Sequence, residues 1–358
     1  MAKGKPTQRD VALAANVSQS LVSLVLNQVE TEASEATRIR ILETAKRLGY
    51  VPKKKHVYEP KKAKRPGKQG KLLAYIPQTV TREVPMDARI YDGYEEFYQR
   101  FQSAVAEAAH LNGFALMVRP YTNPTELTSW LIEWGIDAVI MHSSDRNLSE
   151  WISKRYPMVQ INRRNVVEAD VVMPNQEEMI TLPLDYLHQH GHERIAFLSI
   201  PRDNDIHRRR RQAYLDWTRR KNLPAYPEFL ACDGGSLTTL LEMKENRPTA
   251  AIAGDAMALI LQKEAIKRGF SLPEDLSIIG IDNISADVFA TPPLTSIDVR
   301  ANEITRIALS LLTERLKEPT LAFQKVEITP KLIVRESVAT LQKKNAPARS
   351  DRNLLSGS

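Results

Sequence analysis

The chain has 358 residues, 42% apolar and 26% charged, the balance of a folded protein with a sizeable core and two or three domains. No stretch approaches the roughly 18 apolar residues of a membrane-spanning helix, and residues 1–30 lack a secretory block, so a reducing, cytoplasmic location is expected. One cysteine, Cys232, rules out a disulfide framework and a multi-cysteine zinc site.

The formal net charge of +7 is unevenly spread. Residues 1–52 carry +2, residues 53–71 carry +8 from nine Lys/Arg against Glu59, and the rest of the chain is mildly acidic. A basic head on an acidic body suggests a polyanionic partner, although charge alone leaves open a solvated linker.

The first elements are three short helices. Thr7 and Asp10 have the spacing of a capping box, and Val11, Leu13, Ala14 and Ala15 supply the apolar part of the first helix. Asn16-Val17 makes a turn, and Ser18 caps a second helix near 19–27 with Leu21, Val22, Val25 and Leu26 at core spacing. Ser34 caps a third, in which Ile39, Leu42, Ala45 and Leu48 recur every three residues before Gly49. Such a trio fits a helix-turn-helix, whose second helix enters the DNA major groove, and also an ordinary three-helix bundle.

The letters narrow this. PTQRDVALAANVSQSLVSLVLN followed by TRIRILETAKRLGYVP resembles the headpiece of the lactose-repressor (LacI/GalR) family. The resemblance implies base reading by Gln19 and Ser20, with contacts to bases or backbone from Thr7, Gln8, Ser18, Ser23, Leu24, Asn27, Thr37 and Tyr50. The chain departs from the pattern at Asn16, usually glycine, at Leu21, usually threonine, and at Leu24, where an arginine able to grip guanine is usual. It also has one extra residue between Asn27 and Ser34.

The next segment, KKKHVYEPKKAKRPGKQGK, lacks the family's A-R-x-L hinge, and Pro60 and Pro66 oppose a continuous helix. Lys53, Lys54 and Lys55 open a run that either grips phosphates or serves as a flexible spacer.

From residue 71, apolar runs alternate with helical segments, the pattern of a parallel sheet with crossover helices. Strands are expected at 72–77, 114–121, 137–143 and 158–162, then at 194–200, 229–233, 249–254 and 276–282. A helix over 93–111 has Phe97, Phe101, Val105 and Ala108 at core spacing. Two series imply two similar halves with a ligand at the carboxyl ends of their strands.

The runs GHERIAFL, RPTAAIAGDAMAL, LPEDLSIIGIDN, PPLTSIDV and LIVRES are similar to the body of the same family, which resembles periplasmic sugar-binding proteins. The fold expected is therefore an all-α helix-turn-helix headpiece (1–52), a basic linker (53–70) and an α/β periplasmic-binding-protein-like body of two interleaved parallel-sheet subdomains (71–341). A disordered tail (342–358) without leucine heptads would follow. The stretch 79–93 is a candidate lid.

Carried over by position, Arg210 and Asp282 match the family's ligand-facing arginine and acid, with Ser143, Gly254 and Asp255 as further candidates. Gly254, Asn162 and Val299 depart from the family's Asn, Asp and Gln.

The partners implied are a double-stranded DNA operator with an inverted repeat, a carbohydrate-like effector and a second copy of the chain. No metal, cofactor or membrane is implied. His188, His190 and His192 have no fixed tetrahedral geometry, and GxGxxG, P-loop and GxSxG motifs are missing. A solute-binding protein and an α/β enzyme with a regulatory head are the rival classes, lacking a signal peptide and a catalytic constellation respectively.

Overall fold

The computed structural model describes residues 6–26, 34–50, 70–77, 92–120, 123–143, 145–164, 168–201, 204–230, 232 and 235–341. It divides into two compact units, one within 1–61 and one within 62–358.

The first unit holds α1 (Gln8–Ala15), α2 (Gln19–Leu26) and α3 (Glu35–Arg47). Its capping box is reciprocal: Asp10 N–H donates to Thr7 Oγ1 at 3.3 Å, and Thr7 N–H donates to Asp10 Oδ2 at 2.7 Å. That bonding lowers the Asp10 pKa. Asn16 closes α1 at φ 50°, a left-handed conformation that Asn tolerates in place of glycine.

Val11, Ala12, Ala15, Val22, Val25, Ile41 and Ala45 form the core, as the spacing in α2 led one to expect. In the flanking helices the facing residues differ from expectation. Leu13, Ile39 and Leu42 are exposed, while Ala12 and Ile41 point inward. A three-residue repeat drifts off a 3.6-residue helix, so Ile41 and Ala45, four apart, hold the inner stripe.

In the second unit the strands are β1 (Lys71–Pro77), β2 (Phe114–Val118), β3 (Ala138–His142), β4 (Met158–Ile161), β5 (Asp170–Pro174), β6 (Ile195–Leu198), β7 (Ala250–Ala253), β8 (Ser277–Ile281), β9 (Thr295–Asp298), β10 (Lys325–Ile328) and β11 (Lys331–Ile333). They build a six-stranded sheet ordered β10-β5-β4-β3-β1-β2 and a five-stranded sheet ordered β11-β9-β8-β7-β6. Every pairing is parallel except β11 with β9.

The chain therefore crosses between sheets three times, after β5, after β9 and after β10. The central strands are buried on both faces, which explains their unbroken apolar runs. The helices are α4 (Asp92–Leu111), α5 (Pro124–Glu133), α6 (Arg146–Ser153), α7 (Glu178–Gln189), α8 (Asp205–Lys221), α9 (Ser236–Glu242), α10 (Asp255–Lys267) and α11 (Ala301–Lys317). Phe97, Phe101, Val105 and Ala108 of α4 all enter the core.

Of the strand expected over 229–233, the described residues Phe229, Leu230 and Cys232 take no part in a sheet. A 3-10 turn occupies Pro227–Phe229, and only single backbone bonds join Ser199 to Phe229 and Cys232. The Cys232 thiol is buried and donates to the Phe229 carbonyl at 3.0 Å. Strands β5, β9, β10 and β11 were not anticipated, because each is only three to five residues long.

A buried ion pair joins α11 to β5. Arg315 donates to Asp170 through Nε at 2.6 Å and Nη2 at 3.0 Å, and its remaining N–H groups reach the Pro319, Leu321 and Ala322 carbonyls. Asp170 Oδ1 also accepts from Gln324 N–H at 2.8 Å, which aligns β10 beside β5.

Candidate functional site

In the head, the Ser18 hydroxyl accepts from Leu21 N–H at 3.2 Å, starting α2 and leaving Gln19 exposed in its first turn. Ser34 caps α3 through Thr37 N–H at 3.3 Å, and the Ser34 and Thr37 hydroxyls meet at 3.0 Å. Thr7 and Ser18 are exposed, whereas Gln8, Ser23, Thr37 and Tyr50 are half-buried, with Tyr50 packing on the small core. The Ser18 hydroxyl, which caps by accepting, can still donate to a phosphate, whereas the Thr7 hydroxyl already donates to Asp10 Oδ2 at 2.7 Å. The side chains of Ser20 and Leu24, and residues Asn27, Lys53, Lys54 and Lys55, lie outside the described residues. So do the loop 27–33, most of the linker, residues 79–91 of the candidate lid and the tail beyond Leu341.

In the body, the carboxyl ends of β6, β7 and β8 meet around a small pocket of about 50 Å³, open to solvent. Phe197, Leu198, Ile200, Met257, Ile281 and Ile284 give it apolar walls, and Ser199, His207, Arg210, Asp255 and Asp282 give it polar groups. This combination is characteristic of small-ligand sites.

Asp282 follows β8 with φ 115°, a region that L-residues rarely enter and that costs about 1–3 kcal/mol. Its backbone is held from both sides. Asp282 N–H donates to the Ile297 carbonyl at 2.9 Å, and the Asp282 carbonyl accepts from Arg100 Nη1 at 2.6 Å. Arg100, on α4 of the other sheet layer, also bonds the Asn283 carbonyl and pairs with Asp298 at 3.4 Å. Glu96, one turn earlier, accepts from Ser285 N–H at 2.6 Å. Two turns of α4 thus clasp the loop that carries Asp282.

Beneath the pocket floor lie further carboxyls. Asp255 is buried, accepting from Ser296 Oγ at 2.6 Å and from Ile284 N–H at 3.0 Å. Burial, and then repulsion from Asp287, holds its pKa well above the usual range. Asp287 is also buried, hydrogen-bonds Asp255 through the proton that Asp255 retains, and has Arg335 3.9 Å away. Burial pushes Asp287 up to about 7, and burial followed by the Asp255 charge pushes Asp282 to about 7 against the pull of Arg210, Arg100 and Arg163.

A carboxyl with a raised folded-state pKa binds a proton that the unfolded chain has already lost. Stability is therefore fully present below about pH 4 and is lost as pH rises toward 7, by up to about 1.4 kcal/mol per unit for one group. Asp287→Asn should flatten that slope between pH 4.5 and 7 in urea unfolding followed at several pH values. An unchanged slope would mean that Asp287 is ionised in the folded chain.

Two family descriptions match the two parts of the chain. Residues 7–53 match the bacterial regulatory proteins of the lacI family, and residues 184–338 match a periplasmic binding protein-like domain. The HTH-type transcriptional repressor CytR of Escherichia coli K12 is 27% identical over 351 residues, spanning 94% of this chain and 97% of its own length.

The chain has the two-domain make-up of the LacI-family regulators.

It is thus a DNA-binding transcriptional regulator with an effector-binding body. Solved structures share the fold across nearly the whole chain. The transcriptional regulator CelR–cellobiose complex covers 93% of this chain and 99% of its own at TM-score 0.60 and 22% identity. The lac repressor dimer bound to operator and the anti-inducer ONPF covers 94% and 100% at TM-score 0.59 and 18% identity.

Of the residues singled out in the regulator's sequence, Arg210, Gly254, Asp255 and Asp282 line one pocket. Asp255 departs from its expected role, because both of its oxygens are already engaged with protein groups and it braces the loop carrying Asp282. Ser143 is absent from the pocket lining: it is fully buried after β3, and its hydroxyl accepts from Asp145 N–H at 3.2 Å. Arg210 donates through Nε to Gln176 Oε1 at 2.8 Å, linking α8 to the end of β5. Arg209 beside it forks onto Glu327 of β10 at 3.2 and 3.3 Å.

The three histidines diverge. His188 meets the Trp217 ring edge-on, His190 Nδ1 donates to the Tyr186 carbonyl at 2.8 Å, and His192 is buried against Thr249 and the Ala339 carbonyl. Among the described residues, no group of three or more His, Cys, Asp or Glu is arranged to hold a metal. Among them, too, no helix is long and apolar enough to cross a membrane.

Glu96, Tyr98, Arg100, Arg163, Gln176 and His207 were missed as site residues. Each is an ordinary polar residue on a helix or after a strand, and only the folding-back of α4 and α8 brings it to the cleft.

Proposed function

We propose that the protein is a repressor that reads an inverted-repeat operator as a homodimer and is controlled by a small polyhydroxylated ligand in the body's cleft. The observation that carries this reading is the meeting of Arg210 and Asp282 at the carboxyl ends of the second sheet. A guanidinium and a carboxylate in one pocket suit paired hydroxyls, one donating and the other accepting. The cellobiose in the CelR structure supports a sugar-class ligand, and a dimer on operator in the lac repressor structure supports two-fold DNA reading. By linkage, ligand and operator then change each other's affinity by the same factor.

In this reading residues 1–52 form the reading head, 53–70 the linker, 71–341 the sensor and 342–358 a tail, and the protein works in the cytoplasm. Gln19 and Ser20 read bases, while Thr7, Gln8, Ser18, Ser23, Leu24, Asn27, Thr37 and Tyr50 position α2 on the duplex. Ser143 acts indirectly, by holding the end of β3.

In vitro selection of DNA by the full-length protein tests the operator. It should return an inverted repeat, and Gln19→Ala should relax one or two positions per half-site, each lost contact costing about 1–3 kcal/mol. An identical motif from the variant would move base reading away from the start of α2.

The basic run supplies phosphate contacts in place of the missing hinge pattern. Each phosphate neutralised contributes about −0.9 to the slope of log affinity against log salt. Deleting 53–65 removes seven Lys/Arg and should flatten that slope markedly while weakening binding. Equal slopes for the two proteins would reduce the run to a tether.

A further inference from the structure

Arg163, half-buried, stands two residues beyond β4, after the carboxyl end of the first sheet, and its charge acts on Asp282 of the pocket described above. Its Nη1 donates to the Asn162 carbonyl at 3.0 Å and its Nη2 to Tyr98 Oη at 3.3 Å, both neutral partners. Its Nε is buried and has no hydrogen-bond partner. Among the described residues no carboxylate lies within ion-pair distance of it.

The surroundings do not compensate this charge. His142, also at the end of the first sheet, is buried and packed by the rings of Tyr98 and Phe101, with its Nδ1 at 3.0 Å from Tyr75 Oη. Burial, and then the Arg163 charge, keeps this histidine neutral. Across the cleft, Asp282 feels the same guanidinium without bonding it. A buried guanidinium N–H without an acceptor is destabilising, and the penalty is relieved when an acceptor arrives.

We infer that the effector carries an anionic group, a carboxylate or a phosphate, which docks on Arg163 while its hydroxyls face Asp282 and Arg210. The inference rests on the cleft being the effector site and narrows the ligand from sugars in general to acidic sugars. A guanidinium offers a planar fork that fits two oxygens of either anion, with Nε and one terminal nitrogen as the pair of donors. Tyr98 fixes the orientation of that fork from α4, next to the residues that clasp the Asp282 loop. The anion therefore touches the first sheet and the hydroxyls touch the second, so a single acidic sugar spans both.

Calorimetry and thermal shift on the full-length protein test this with matched pairs: glucuronate and glucose, galacturonate and galactose, glucose 6-phosphate and glucose. At least one acid should bind about tenfold more tightly than its neutral twin, a difference of ~1.4 kcal/mol. Whether the carboxylates or the phosphate show the preference identifies the anion. Arg163→Gln should abolish the preference, costing the acid about tenfold more affinity than its neutral twin, while Arg163→Lys retains part of it. Asp282→Asn should weaken both members of a pair.

Neutral twins that bind as tightly as the acids, with Arg163→Gln changing neither, would overturn the acidic ligand and leave the cleft as the effector site. Binding of acids that is insensitive to Arg163→Gln but lost in Asp282→Asn would do the same. If no member of any pair bound, both the acidic ligand and the sugar-binding cleft would be overturned.

Discussion

Replacing Arg315 with methionine should destabilise the body by about 3–5 kcal/mol, the usual cost of leaving one half of a buried ion pair uncompensated. The reason is the company that Asp170 keeps. It is 1% exposed, and two of its three bonds come from the Arg315 guanidinium. Its third, from Gln324 N–H, cannot neutralise a charge. Arg315 also satisfies three backbone carbonyls in the turn between α11 and β10, so its loss frees the strand that completes the first sheet.

Urea unfolding of the full-length protein gives the number. The double variant Arg315→Met with Asp170→Asn should recover a good part of the loss, because a neutral amide tolerates burial where a lone carboxylate does not. A single-variant cost below about 1 kcal/mol would mean that water reaches Asp170, contrary to its burial.

Gly280→Ala should have the next largest effect. A Cβ at this position would stand 1.9 Å from Asp255 Oδ1, 2.9 Å from Leu294 Cδ2 and 3.0 Å from Ser296 Oγ. Asp255 would have to leave, breaking the bonds from Ser296 Oγ and Ile284 N–H. Overpacking costs about 1–3 kcal/mol, and each buried polar group left unpaired costs about as much again.

Because Ile284 is two residues from Asp282, the damage should reach ligand affinity as well as stability. Pairing Gly280→Ala with Asp255→Ala makes room for the new methyl and should restore packing without restoring the pocket floor. Thermal unfolding alongside ligand titration separates the two effects. A Gly280→Ala protein of undiminished stability would show that Asp255 has another resting place.

Much of the head was legible in the sequence because its signals are local. Thr7, Ser18 and Ser34 each cap a helix within three residues of themselves, and Asn16 announces its left-handed turn. The inward face of α3 was misread, since a repeat of three cannot show which stripe the other two helices will cover. In the body the central strands were visible as apolar runs buried on both faces. The segment 229–233 looked like another such run, but among its described residues only Phe229 and Cys232 bond Ser199, once each, and they join no ladder.

The candidate site was legible in halves. Arg210 and Asp282 were found by family resemblance, and both line the pocket. Asp255 was found too, yet its oxygens turn out to be spent on Ser296 and Ile284, while Ser143 lies buried outside the pocket lining. Nothing local marked Arg100 or Arg163, because a charged residue on a helix or after a strand is ordinarily solvated.

Length, caps, periodicity and the LacI-like letters by themselves determined that a DNA-reading head precedes an α/β sensor, and placed the +8 run between 53 and 71. Those properties depend on residues a few positions apart, whose interactions survive without knowledge of the rest of the chain. Only the tertiary structure decided how three crossings interleave the two sheets, and that α4 clasps the loop bearing Asp282 from 182 residues away. It also decided that the charge of Arg163, after a strand of one sheet, acts on Asp282, after a strand of the other. Contacts between residues so distant in sequence depend on the packing of whole layers, which no local pattern encodes.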